Sequence, residues 1–394
     1  MTANTRPATA PLIEELIPPV REGAGHAEAA RGLSKEVHAA MVKAGLFRMF
    51  IPKNLGGLGL DAVTGFEVIE SLSSVDSAAG WNLQICAAPV GMAVLFPDAT
   101  GREVFAKEDA VVAGGFFPPG VLQAVDGGFR LNGRWGFVSG CQHATWFVNP
   151  AVELRDGSPV LGADGNPLVR VCLYPAHEAQ ILETWNPLGM RGTGSHDLVA
   201  NEIFIPMERT AFLRPFSVDP APSFDGPFAR LGIMPTILGN AVVALGVARS
   251  AIDESLEVIR TKTPAHFQTQ PGQRSTVQAH LGRAESTLSA ARAYFFGSLR
   301  SAWDVAESGT AIGVTERKHL QLAASYAAES AAQAVDYIHA AVGSTGILED
   351  QFPFARHFRD VHTITQHALC SPTRFESMGQ VMLGMETDWA FFNI

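Results

Sequence analysis

Apolar residues recur at helical spacing through the first hundred positions. Ser34 precedes Glu36, and Val37, Met41 and Ala44 share one face before Gly45. A hydroxyl cap, an acidic first turn and a closing glycine predict a helix there. The stretch from Asp61 to Ser73 predicts a second, with Phe66, Ile69 and Leu72 turned inward. From about residue 109 to 215 the texture changes to short β-branched and aromatic runs between turn residues. Phe129 to Trp135 follows the turn Asp126-Gly127-Gly128, and Leu168 to Tyr174 and Leu198 to Ile205 read as further strands. Beyond about residue 228 the helical period returns. Val277, Leu281, Ala284, Leu288, Ala291, Phe295 and Leu299 form one long stripe. From Thr315 to Val342 a second stripe carries Ala323, Ala327, Ala331, Ala334, Ile338 and Ala341, and so many small residues predict close helix approach in a bundle or at a subunit contact.

The order of helices, strands and helices gives an α+β chain, with a helical domain over 1–108, a β domain over 109–227 and a helical bundle over 228–394. No GxGxxG segment follows a strand and opens a helix, which argues against a nicotinamide-binding Rossmann domain. Leu231 to Ala248 is 18 residues without a charge, but it contains Pro235, Asn240 and three glycines. It falls short of the roughly 20 apolar residues of a spanning helix and reads as a buried one.

Composition narrows the function classes. The 394 residues carry 47% hydrophobic and 17% charged side chains, as a compact folded chain does. The net charge of -10 disfavours nucleic acid, because phosphate binding requires a basic surface. Cys86, Cys141, Cys172 and Cys370 are far apart with no CxxC spacing, so neither a metal site nor a disulfide framework is expected. No basic stretch followed by an apolar run opens the sequence, and the expected location is the cytoplasm.

Two motifs carry a resemblance. The run Ala44-Gly45-Leu46-Phe47-Arg48-Met49-Phe50-Ile51-Pro52-Lys53-Asn54-Leu55-Gly56-Gly57-Leu58-Gly59-Leu60 resembles a signature of the acyl-CoA dehydrogenase superfamily. The run from Trp185-Asn186-Pro187-Leu188-Gly189-Met190 through Arg191-Gly192-Thr193-Gly194-Ser195-His196-Asp197 leads into a strand ending at Pro206. It is similar to the form found in that superfamily's two-component monooxygenase branch, which includes 4-hydroxyphenylacetate hydroxylase, dibenzothiophene monooxygenase and the indole-acetate monooxygenases. The resemblance spans roughly residues 10 to 385. It implies an N-terminal helical domain, a central β barrel and a C-terminal four-helix bundle assembled as a homotetramer. The flavin is expected between barrel and bundle, completed by a neighbouring subunit.

The same resemblance assigns candidate residues. Dehydrogenases of this fold use a glutamate base late in the bundle or on its first helix. Leu231 to Ser250 holds no Asp or Glu, and the late segment Asp360 to Pro372 offers His362 and His367 instead. His367 is the preferred catalytic candidate, taking a proton from substrate or keeping the terminal oxygen of a flavin C4a-hydroperoxide protonated. In Trp135-Gly136-Phe137-Val138-Ser139-Gly140, a segment the resemblance wraps around the flavin ring, Ser139 is expected beside flavin N5 and Trp135 is expected to bind the cofactor, while Trp185 is expected to wall the ring or the substrate. Arg260, with Arg274 and Arg283 as competitors, is the candidate phosphate partner, and Gly343, Ser344 and Thr345 offer a cofactor-facing turn.

Pro89 stands where several phenol hydroxylases of the branch carry a histidine, which leaves room for an indole-like substrate. The segment Thr261-Lys262-Thr263-Pro264 and the run Asp388-Trp389-Ala390-Phe391-Phe392 resemble the indole members. The reading is an oxygenase that receives reduced flavin, FAD or FMN, from a separate NAD(P)H-dependent flavin reductase. With molecular oxygen it hydroxylates or epoxidises an aromatic substrate, indole-like or phenolic. An acyl-CoA dehydrogenase and a non-catalytic flavin-binding scaffold are the alternatives.

Overall fold

The computed structural model describes residues 10–163, 165–213, 221–262, 269–349 and 351–393, so Thr263 and Pro264 lie outside the described residues. The first helices are α1 (Ala10–Ile13), α2 (Ile17–Ala30), α3 (Lys35–Lys43), α4 (Ala62–Ser73), α5 (Ser77–Ala87) and α6 (Asp98–Val104). Their ends follow the sequence signals. The Ser34 hydroxyl accepts from the Val37 amide and the Asp61 carboxylate from the Thr64 amide, and Gly45 stops α3 at φ 72°. The glycine-rich run after α3 folds around Arg48, a buried guanidinium that donates to the carbonyls of Leu55, Phe105 and Lys107. Gly57 has no room for a side chain, since a Cβ there would lie 2.1 Å from the Ile51 carbonyl oxygen.

The middle of the chain forms one sheet from β1 (Val112–Ala113), β2 (Gly120–Val125), β3 (Gly128–Val138), β4 (Trp146–Arg155), β5 (Ser158–Pro159), β6 (Val169–Pro175), β7 (Gln180–Leu182), β8 (His196–Pro206) and β9 (Thr210–Phe212). The path is β7-β8-β3-β2-β4-β6-β9, with β1 and β5 also paired to β4. Among the described residues the end strands β7 and β9 do not pair with each other. β3 and β8 run antiparallel with Phe129 opposite Ile205, and their register shifts between Trp135 and Val138. Phe137 takes φ 60° at that irregularity. The bulge re-aims the chain, so Ser139 leaves the sheet toward the helices.

The bundle comprises α7 (Pro227–Arg230), α8 (Met234–Thr261), α9 (Ser275–Glu307), α10 (Val314–Val342), α11 (Phe354–Ile364) and α12 (Thr373–Met382). α8 and the Ser77–Leu95 segment are long and apolar enough to cross a membrane, but the apolar window of each is 89% buried inside the fold. Ala323, Ala327, Ala331 and Ala334 are fully buried on α10, which packs on α8 and α9 within the chain.

A buried ionic knot joins the three layers. Asp360 on α11, 1% exposed, accepts from the Ser77 hydroxyl and from the Met190 amide at 2.5 Å each. Arg356 reaches Asp76 at 2.5 Å and lies 3.5 Å from Asp360. Gly189 sits so close to α11 that a Cβ would meet the Arg359 carbonyl oxygen at 2.2 Å. The loop before β8 is thereby seated on the helix that leads to His367.

Candidate active site

Trp81 on α5 brings Ser139 and His367 together. Its indole Nε1 donates to Ser139 Oγ at 3.0 Å, and its ring meets the His367 imidazole edge-on with centroids 5.5 Å apart. Gly140, at φ 71°, makes the turn that places Ser139, packed against Asn82 and Cys86 of α5. Beyond Ser139 runs a line of hydroxyls. Ser139 Oγ is 2.6 Å from Ser195 Oγ, Ser195 Oγ is 2.6 Å from Thr193 Oγ1, and Thr193 Oγ1 donates to the Met190 carbonyl at 2.9 Å. All these side chains are buried.

His367 lies just past the end of α11, and its buried side is held by two donors. The Asn240 amide nitrogen is 3.0 Å from Nδ1, and the Leu369 backbone N–H donates to the same atom at 3.3 Å. A backbone amide has only a proton to offer, so Nδ1 is the acceptor and the neutral ring carries its proton on Nε2. Asn240 is fixed in turn by Gln84 Nε2, which donates to its Oδ1 at 2.6 Å. Burial pushes the imidazole down to about 4, so it is uncharged near neutral pH. Nε2 has no partner among the described residues.

The other expected residues divide. Trp185 is half-buried at the rim, donating from Nε1 to the Met190 carbonyl at 3.1 Å and meeting the exposed Phe137 ring edge-on at 5.8 Å. Trp135 lies away from this cluster. Its indole is fully buried in the sheet, with Nε1 on the Pro150 carbonyl at 3.1 Å, and it fills space left by Gly120 and Gly133. It presents no ring face to a ligand. His362 also stands apart from the Trp81 cluster, paired with Asp336 at 2.9 Å and lining an open cleft of about 270 Å³ with Glu329 and Thr365.

Arg260 is exposed in the last turn of α8. Two residues on, the Lys262 ammonium meets the Thr345 hydroxyl in the turn Gly343–Ile347. Thr345 is buried there, whereas Gly343 and Ser344 are exposed. Pro89 opens a short apolar segment lining a cavity of about 20 Å³ with Met92, Phe96, Val112, Val148 and Leu173. Trp81, Asn240 and Lys262 were assigned no role from sequence. Among the described residues no group of three or more His, Cys, Asp or Glu side chains is placed to hold a metal.

The comparisons with known proteins agree with this architecture. A profile for the acyl-CoA dehydrogenase N-terminal domain matches residues 6–96, and one for the C-terminal domain matches residues 238–372. The indole-3-acetate monooxygenase of Pseudomonas putida is 33% identical over 385 residues, 96% of this chain and 95% of that protein. The pigment production hydroxylase of a Rhodococcus species is 28% identical over 97% of each chain. Among solved structures, XiaF from Streptomyces in complex with FADH2 and glycerol superposes with a TM-score of 0.89 at 26% identity, over 98% of both chains. The chain belongs to the acyl-CoA dehydrogenase family, in its reduced-flavin-dependent monooxygenase branch.

Proposed function

We propose that this chain is the oxygenase component of a two-component monooxygenase that hydroxylates an electron-rich aromatic or heteroaromatic ring, of the indole or phenol class. The observation that carries the reading is the His367 imidazole packed on Trp81, whose indole N–H is bonded to Ser139, on a fold whose dehydrogenases use a carboxylate base late in the bundle or on its first helix. Reduced flavin, FAD or FMN, supplies when bound the two electrons that activate dioxygen for insertion of one oxygen atom.

The residues fit such a group. Phe137, 75% exposed beside Trp185, offers an apolar rim to a planar ring. Lys262, at the Gly343–Ile347 turn, offers a cation for phosphate and is a better candidate than the exposed Arg260. His367 keeps Nε2–H for the reacting side. This favours a donor that holds an oxygen's proton over a base that removes one from substrate, because protonation at Nδ1 would oppose the Asn240 and Leu369 donors.

Relatives named as oxygenase components or subunits support a separate flavin reductase as partner. Met382, Leu383 and Met385 are 67%, 79% and 57% exposed, which supports a subunit contact such as the proposed homotetramer requires. The four cysteines are free and buried, which suits the cytoplasm. The test mixes protein, chemically reduced flavin, oxygen and indole, and follows product against hydrogen peroxide. His367→Ala is expected to lower the product-to-peroxide ratio about tenfold or more. Full coupled hydroxylation by that variant, or bleaching of bound oxidised flavin by an acyl-CoA, would overturn the reading.

A further inference from the structure

The hydroxyl line behind Ser139 has a definite proton order. At one end Trp81 Nε1 only donates, and at the other the Met190 carbonyl only accepts. Each hydroxyl between them has one proton. If Thr193 gives its proton to Met190, it must accept from Ser195, and Ser195 must then accept from Ser139. The reverse order would set Thr193 Oγ1 and the Met190 oxygen lone pair to lone pair at 2.9 Å in a buried site. Ser139 therefore has its proton committed to Ser195 and one lone pair committed to Trp81. What remains on its oxygen is a single acceptor position.

We infer that Ser195 and Thr193 are positioning residues that make Ser139 an acceptor-only group, and that this polarity selects reduced over oxidised flavin. The inference rests on the functional reading above. Flavin N5, the atom that the resemblance sets beside Ser139, inverts its role with redox state, accepting a hydrogen bond when oxidised and carrying N–H when reduced. An acceptor-only serine complements the reduced ring and opposes the oxidised ring. A flavin that must arrive reduced and depart oxidised is thereby favoured on entry and disfavoured after turnover.

The test is equilibrium binding, which needs no catalysis. Dissociation constants for reduced flavin under anaerobic conditions and for oxidised flavin in air are measured by fluorescence titration for the parent chain and three variants. Ser195→Ala removes the acceptor of the Ser139 proton, which can then point at an oxidised N5. Its preference for reduced flavin is expected to fall about tenfold, the size of one hydrogen bond in a buried site, mostly through tighter oxidised-flavin binding. Thr193→Val frees the Ser195 proton to turn back toward Ser139, and the same loss is expected. Thr193→Ser keeps the hydroxyl and is expected to keep the parent ratio. Circular dichroism identifies a misfolded variant, and either Thr193→Val or Ser195→Ala then suffices. An unchanged ratio in a folded variant, or weaker binding of both forms alike, overturns the inference while the oxygenase reading stands. A parent chain that binds neither form overturns both.

Discussion

Replacing Asn240 by Asp inverts the polarity on the buried side of His367 and gives a measurable test of its protonation state. In the parent, two N–H donors face Nδ1, and burial holds the imidazole at about 4 against an ordinary 6.5. That shift corresponds to about 3 kcal/mol against the charged ring, so at pH 7.5 only about three molecules in ten thousand carry it. In Asn240→Asp a carboxylate oxygen replaces the amide nitrogen 3.0 Å from Nδ1 and can still accept from Gln84. An adjacent carboxylate raises an imidazole by about one to three units, which brings His367 to about 5 to 7 and moves its neutral-state proton toward Nδ1. Nitrogen-15 NMR of the histidine rings reads both changes. The parent is expected to show a bare Nδ1, a protonated Nε2 and no titration between about pH 5 and 8, whereas the variant titrates within that window and its hydroxylation rate becomes pH-dependent. A parent His367 that titrates near its ordinary value, or that carries its proton on Nδ1, would refute the tautomer argument.

Three further outcomes follow from the geometry. Trp135→Ala is expected to cost about 3–5 kcal/mol in denaturant unfolding, because a fully buried indole is lost, while flavin affinity of the folded fraction changes less than about twofold. Lys262→Ala is expected to weaken reduced-flavin binding about tenfold and Arg260→Ala less than about twofold, in the same anaerobic titration. Acid should destabilise the fold before its carboxylates titrate. His38, whose buried Nε2 is unpartnered and whose ring stacks on His143 at 4.3 Å, is held at about 4 by burial, as is His367. With folded values depressed, the unfolded chain takes up these protons first, so stability is full above about pH 6.5 and falls toward pH 4, as chemical unfolding across that range would show.

The elements that were legible in the sequence are those set by local rules. The cap at Ser34, the turn at Gly45 and the alanine stripe of α10 depend on neighbours three or four residues away. The site depends on distant ones. Trp135 and Ser139 share one short segment, but the bulge at Phe137 sends them to different sides, and no periodicity marks that break. His362 and His367 are separated by the end of α11 at Ile364, which leaves the first with Asp336 and turns the second in toward Asn240. Arg260 and Lys262 are likewise divided by the end of α8. Trp81 and Asn240 sit on apolar helices and meet the site only through tertiary packing, so spacing alone could not single them out.

The most direct test of monooxygenation uses isotopic oxygen. Protein, reduced flavin and indole are mixed under oxygen-18 gas with no reductase present, and the product is weighed by mass spectrometry. The account predicts one labelled oxygen atom in each hydroxylated product molecule, with none from water. Oxidised flavin and hydrogen peroxide alone, with no label in any aromatic product across a panel of indoles and phenols, would contradict it.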